Sequence, residues 1–250
     1  MAPSSRYIYG IVAEPQLRRF GFPGIGDAEV YTINHDGIAA IVSDIQLRGI
    51  DPTRKNVHTH TVVQDELLKE YTLLPMGFGM ITASEDEVRR LLEQNYEGLV
   101  GELNRLTGKV EVEVKVFWDR EAVIKELQGE NQELTKLESK INAALSCNEA
   151  QRLLIEAGKL VERIVTGWKA RYAEQVCAIL GQLALDTQLN KLIGIRNILN
   201  ASFLINRPRE VEFQQEVYRL DAEFQGKVNF KYVGPLPPYN FINLKLETLK

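Results

Sequence analysis

Residues 226 to 243 are the most informative segment of the chain: Gly-Lys-Val-Asn-Phe-Lys-Tyr-Val-Gly-Pro-Leu-Pro-Pro-Tyr-Asn-Phe-Ile-Asn. The first half, up to residue 233, is rich in β-branched and aromatic residues, which is typical of a strand. Working back from it, residues 208–224 have the spacing of an amphipathic helix and residues 200–206 the composition of a second strand. The patterns from residue 200 onwards therefore predict a strand, a helix and a strand that end in a turn.

That turn is made stiff by three prolines, which remove backbone donors and restrict φ: Pro235, Pro237 and Pro238. It is thus ordered before Tyr239 and Phe241 present their rings, and such ordering lowers the entropy lost on binding. We predict that these five residues form a protein-interaction site. The alternative is that the two rings close over the protein's own sheet.

The order of elements in the closing unit is repeated from an earlier part of the chain. Residues 76–116 are predicted to run strand, turn, helix, Gly-Lys-Val and strand, and residues 201–234 repeat that order. This repeated order predicts an α+β protein of two related α/β modules, with split ferredoxin-like sheets. Convergence on a glycine that ends a helix explains the shared tripeptide equally well.

The N-terminal part predicts a β-meander followed by helices. Strands are expected at residues 6–13, 28–33 and 37–43, with the turn chemistry of a hairpin at residues 34–37. Helices are expected over residues 57–71 and 84–106, around a strand at 73–82. The Gly-rich stretch at 20–27 is interpreted as a surface loop.

Valine alternates with charge over residues 110–116, which predicts a strand with one packed face and one wet face. We expect Glu111 and Glu113 to lie on the wet face. The next 80 residues have a helical pattern instead. Apolar residues recur with a heptad spacing from 120 to 145 and at helical spacing from 149 to 192. This pattern predicts an antiparallel, coiled-coil-like helical hairpin over about 120–192.

These patterns divide the chain into two predicted domains. The first is an α+β domain over residues 1–118. The second, over residues 119–250, contains the hairpin at about 120–192 and the closing sheet unit at 200–243. A chain of 250 residues is long enough for two modest cores.

The composition of the chain argues against several classes of partner and location. The formal charge of -4 is mixed along the chain, so neither nucleic acid nor an anionic membrane is an expected partner. No run approaches the roughly 20 apolar residues of a membrane span, and the N-terminus lacks the apolar core of a signal peptide. Cys147 and Cys177 lack the spacing of a disulfide scaffold or a zinc site. We expect a soluble protein of the cytoplasm.

No residue pattern predicts catalysis, a cofactor or a metal. His58 and His60 lie two apart on a predicted helix, so their side chains diverge and cannot share an ion; we interpret them as polar residues of its first turn. No nucleophile motif occurs, and the glycines at 21–26 lie between two strands, where a dinucleotide loop does not belong. An enzyme acting on a small molecule is therefore not expected.

Five ordered motifs resemble the gas vesicle protein F/L family. They are Tyr-x-Tyr-Gly-Ile-Val at 7–12, Leu-Pro-x-x-Phe-Gly at 74–79, Gly-Lys-Val-Glu with alternating valines at 108–116, Arg-Asn-x-x-Asn-Ala-x-Phe-Leu at 196–204, and Gly-Pro-x-Pro-Pro-Tyr-x-Phe at 234–241. The resemblance covers nearly the whole chain and is closest to the F type, with a cyanobacterial character. Two departures are Gly77, where the family often has Arg, and Leu236, where it often has Trp.

The resemblance implies a non-enzymatic accessory protein that acts in gas vesicle assembly. Its implied partners are the small hydrophobic shell protein and other accessory proteins, and its implied location is the gas vesicle, assembled in the cytoplasm. A rival hypothesis is a homo-oligomerising scaffold built on the helical hairpin. Apolar seam positions left over at Trp168 and Tyr172 motivate it.

Overall fold

The computed structural model describes residues 5–46, 49–130, 132–144, 146–194, 196–224 and 226–246. Parts of the predicted domains and of the predicted helical hairpin lie outside these, at residues 1–4, 47–48, 131, 145, 195, 225 and 247–250. The described residues form two compact units, one from the ranges 1–111 and 235–250 and the other from 112–234. Both contain helices and a sheet, so the α+β class is confirmed.

The first unit is built on a six-stranded sheet. The strand order is β2-β3-β4-β1-β5, with β6 also pairing with β1. The strands are β1 (Ser5–Ala13), β2 (Arg19–Pro23), β3 (Glu29–His35), β4 (Ile38–Ile45), β5 (Leu73–Pro75) and β6 (Ile81–Thr82). The hairpin between β3 and β4 turns at Asp36 and Gly37, both with positive φ, as the predicted turn chemistry requires. Central strand β1 is almost wholly buried.

Three helices belong to this unit: α1 (Arg54–Glu70), α2 (Glu85–Gln94) and α3 (Tyr96–Leu106). Ser84 caps α2 by accepting a hydrogen bond from the Glu87 N–H at 3.2 Å. The predicted single helix over 84–106 is divided at Asn95, whose side-chain Nδ2 donates to the Leu91 carbonyl at 2.8 Å. This bond competes with helical continuation, which is why an asparagine interrupts the run.

The second unit contains a four-stranded sheet in the order β10-β7-β9-β8. Its strands are β7 (Lys109–Trp118), β8 (Asp186–Leu189), β9 (Asn197–Asn206) and β10 (Val228–Leu236). Its helices are α4 (Arg120–Glu130), α5 (Gln132–Ala143), α6 (Cys147–Leu180) and α7 (Glu210–Glu223). Helix α5 packs against α6, and α7 packs on β9 through Phe213 and Phe203, whose ring centroids are 5.2 Å apart.

Two predictions about individual elements are wrong. The stretch at 20–27 is not only loop, because β2 pairs there with β3. Helix α6 ends at Leu180, so the hairpin does not reach residue 192. Residues 186–189 instead form β8, which lies antiparallel to β9. In each case a neighbouring strand supplies hydrogen bonds that periodicity along one segment cannot reveal.

The two units also differ from the predicted domains. The chain leaves the first unit near residue 111, inside β7, and the residues after 234 return to it. The proline turn thus belongs with the N-terminal sheet, whereas the prediction placed it in a domain over 119–250. The contacts that hold it there are long-range in sequence, which explains the difference.

Candidate functional site

The proline turn lies in the first unit and is only partly accessible. Pro235 is exposed, and 45% of Tyr239 is accessible to solvent. Pro237 and Pro238 are buried, and Phe241 is only 3% exposed. Of the five predicted interaction residues, the structure therefore leaves Pro235 and Tyr239 at the surface.

The hydroxyl of Tyr239 points inwards and is fixed by helix α1. It donates a hydrogen bond to Gln64 Oε1 and lies 3.2 Å from the carbonyl oxygen of Met76. The Nε2 of Gln64 in turn donates to the carbonyl oxygens of Tyr9, at 2.7 Å, and Met76, at 3.0 Å. Gln64 thus joins the turn to β1 and to the segment after β5, while Tyr239 stays partly exposed.

His60 lies one helical turn before Gln64 and is 3% exposed. The Tyr7 hydroxyl is 2.9 Å from His60 Nδ1, and His60 Nε2 is 3.1 Å from the carbonyl oxygen of Met76. Because a carbonyl can only accept, Nε2 carries the proton and Nδ1 accepts from Tyr7. The Tyr7 hydroxyl also accepts from the Gly79 N–H at 3.1 Å, so both of its roles are filled.

Burial sets the protonation states of this polar cluster, which we define as Tyr7, Tyr9, His60, Gln64 and Tyr239. It raises the pKa of Tyr7 and of Tyr239 to about 12 and lowers the pKa of His60. All three groups are therefore neutral near pH 7. A neutral, hydrogen-bonded cluster of this kind holds β1, α1 and the turn together.

The burial of His60 predicts a pH dependence of stability. Its pKa is lowered from the usual 6.5 in the folded chain, so below about pH 6.5 the unfolded chain binds a proton that the folded chain does not. The free energy of unfolding should therefore decrease as the pH is lowered through this range, by up to about 1 kcal/mol between pH 7 and pH 5.5. Urea unfolding at both pH values measures it.

The matched variants are His60→Gln, which removes the buried imidazole, and His58→Gln, which removes an exposed histidine of the same helix. Comparing each protein with itself at the two pH values cancels any loss of packing. His60→Gln should lose the component that the unchanged chain shows. An identical pH difference in the unchanged chain and His60→Gln would contradict the assignment.

A buried carboxylate anchors the other side of the turn. Glu111 is 3% exposed, and its oxygens accept hydrogen bonds from the Asn240 backbone N–H at 2.9 Å and from Asn240 Nδ2 at 2.6 Å. Beyond it, Arg105 donates to the carbonyl oxygen of Phe241 while also pairing with Glu102. The pKa of Glu102 is lowered, chiefly by its hydrogen bond to Arg105.

Two sequence-based interpretations are corrected here. Glu111 does not lie on a wet face, because the returning turn covers it. His60 is not a polar residue of a first helical turn, since α1 begins at Arg54 and the imidazole is buried. A signal for His60 and Gln64 was present: they share the i, i+3, i+4, i+7 spacing of the buried Val63 and Leu67.

The described residues include no group of three or more His, Cys, Asp or Glu side chains that could hold a metal ion. Cys147 and Cys177 are both free thiols. No helix in the described ranges is long and apolar enough to cross a membrane. The fold and the turn define an α+β protein of two units that presents a partly exposed aromatic residue on a buried polar support.

The chain belongs to the family described as gas vesicle synthesis protein GvpL/GvpF, whose model matches residues 5–243. It is 28% identical to gas vesicle protein F of Nostoc sp. strain PCC 7120, over 96% of this chain and 99% of that protein. It is 32% identical to gas vesicle protein F of a Streptomyces species, over 95% of this chain and 99% of that one.

Solved structures agree with this assignment. The crystal structure of the gas vesicle protein GvpF from Anabaena sp. PCC7120 superposes with a TM-score of 0.84 at 27% identity, covering 97% of this chain and 99% of that chain. The resemblance to the gas vesicle protein F/L family is therefore confirmed, and cyanobacterial F proteins are among the relatives. The chain is an accessory protein of gas vesicle formation.

Proposed function

We propose that this chain acts in gas vesicle assembly by binding the hydrophobic shell protein and other accessory proteins, without making or breaking a covalent bond. Such assembly takes place at the growing vesicle in the cytoplasm. The observation that carries the proposal is that Tyr239 is 45% exposed while its hydroxyl is hydrogen-bonded inside the first unit. Aromatic anchors of this kind contribute much of the binding energy at protein interfaces.

The rigidity of the turn supports the same role. Its buried prolines and the Glu111 bonds to Asn240 hold the backbone on both sides of Tyr239. A ring held in place before contact loses little conformational entropy on binding. The exposed Pro235 extends this surface along the end of β10, so both exposed members of the predicted set are retained in the proposed interface.

The finer fold assignment is also a proposal. The second unit has the order strand, helices, two strands, helix and strand, which is that of a ferredoxin-like sheet. The scaffold hypothesis has less support, because Trp168 and Tyr172 contact the chain's own Trp118, with ring centroids 6.2 and 5.2 Å from it. Those seam positions are thus occupied within the unit.

A pull-down with purified shell protein tests the turn. Tyr239→Ala removes the exposed ring and should reduce recovery of the shell protein at least fivefold, since a buried aromatic anchor contributes about 1 kcal/mol or more. Tyr239→Phe keeps the ring and loses only the inward hydroxyl, so it should recover nearly as much as the unchanged chain. Phe241 is left intact because its ring is buried.

Tyr218→Ala is the control for loss of an exposed tyrosine elsewhere, since Tyr218 is 59% exposed on α7. It should leave recovery unchanged. Equal recovery with Tyr239→Ala and with the unchanged chain would remove the turn from the interface. Loss of binding in Tyr239→Phe equal to that in Tyr239→Ala would instead assign the effect to the internal hydroxyl contacts.

A further inference from the structure

Strand β8 forms an open edge of the second sheet. It pairs with β9 on one side, and no strand of the described ranges pairs with it on the other. All four of its residues are exposed. Four large apolar residues lie in this strand or close to it in the sequence, and they are 44–77% exposed: Leu185, Leu189, Leu192 and Ile193. An edge of this kind is a template for another strand.

The register shows which backbone groups face outwards. Leu189 is opposite Ala201, and the Asn190 N–H donates to the Asn200 carbonyl at 2.7 Å. In an antiparallel ladder, alternate residues exchange bonds with the partner and the residues between them face away. Leu189 and Thr187 therefore direct their N–H and C=O groups towards the open side.

One of these outward donors already has a local partner. The Thr187 N–H donates to the Asp186 carboxylate at 2.8 Å, and this side chain shields the start of the edge. Leu189 has no such neighbouring carboxylate in β8. Asp186 and Lys191 are the two charged residues between 185 and 193, so the segment is neutral in sum. Leu189 is the one apolar residue of β8, and the exposed Leu185, Leu192 and Ile193 flank the strand. A segment without net charge, with apolar side chains at and beside its edge strand, matches an uncharged apolar strand.

We propose that the open edge of β8 receives an extended, uncharged apolar strand of the shell protein, an inference that rests on the proposed function. Four residues cannot cover the roughly 1,200 Å² that a stable interface buries, so the contact is weak and reversible. Reversibility suits an accessory protein that must release the subunit to the shell. The same small area argues against a stable dimer of two copies joined only through β8.

Titration of purified shell protein into the fluorescently labelled full chain tests the edge through three variants. Leu189→Pro removes an outward N–H without removing a bond to β9, and proline is tolerated at such edge positions. Its Kd should rise about tenfold, which corresponds to one to two hydrogen bonds. Leu189→Lys adds a charge that edge strands use against pairing and should weaken binding similarly. Asp186→Ala exposes the Thr187 N–H and should tighten binding.

Circular dichroism establishes that each variant is folded, and Leu189→Lys replaces Leu189→Pro if the proline variant is not. If the unchanged chain binds and every variant has the same Kd, the proposed role of the β8 edge would be overturned, whereas the proposed function would stand. No binding by the unchanged chain would overturn both. Sedimentation that shows a dimer of the unchanged chain, abolished in Leu189→Lys, would overturn the proposal by assigning the edge to a second copy.

Discussion

Phe241→Ala is expected to lower the free energy of unfolding of the first unit by about 3 to 4 kcal/mol, because it empties the space of a large buried ring. Phe241 is 3% exposed and lies between the bonds that anchor the turn, to Glu111 on one side and to Glu102 on the other. Loss of the ring should therefore also release the turn. Urea unfolding followed by far-ultraviolet circular dichroism measures the change.

The choice of probe matters for this variant. The two tryptophans, Trp118 and Trp168, both belong to the second unit, so their fluorescence reports on that unit. Phe241→Leu is the matched control, which retains most of the apolar volume and should lose only about 1 kcal/mol. A loss below about 1 kcal/mol in Phe241→Ala would show that the ring does not hold the turn.

Glu111→Ala is expected to lower the free energy of unfolding by about 2 to 3 kcal/mol. The substitution removes a buried acceptor of two hydrogen bonds and leaves the backbone N–H and the side-chain Nδ2 of Asn240 without the carboxylate. Hydrogen bonds to a charged group contribute about 1.5 to 3 kcal/mol each, and relaxation of the turn recovers part of the loss. Urea unfolding by circular dichroism measures this effect too.

Glu113→Ala is the matched control two residues along the same strand. Glu113 forms an ion pair with Lys115 at 2.8 Å and is not buried, so its removal should change stability by no more than about 0.5 kcal/mol. If both variants lost the same free energy, the difference in burial between the two carboxylates would have no energetic consequence. The account of the turn would then be contradicted.

Local sequence signals predicted the elements whose causes are local. The hairpin at Asp36 and Gly37 and the helix start at Ser84 follow from turn and capping chemistry within four residues. The central strand β1 was predicted because its β-branched and aromatic residues are continuous. The motifs of the family resemblance were predictive over the whole chain for the same reason, since each one is contiguous.

What sequence patterns missed depends on contacts between distant residues. Strand β8 has the composition Asp-Thr-Gln-Leu, which has weak strand propensity, and it is a strand because β9 pairs with it. Glu111 alternates with valines and was expected to be wet, yet Asn240 returns from 129 residues away to cover it. The burial of Phe241 has the same origin, and the sequence patterns did not predict that Phe241, Pro237 and Pro238 would be buried.

The proposed function requires that the folded surface of this chain binds the shell protein. Titration of the purified chain with purified shell protein, with no other vesicle component present, measures this binding without an intermediary. Binding should be saturable, and Tyr239→Ala should weaken it whereas Tyr239→Phe should retain it. No detectable binding by the unchanged, folded chain across the accessible concentration range would contradict the proposed function.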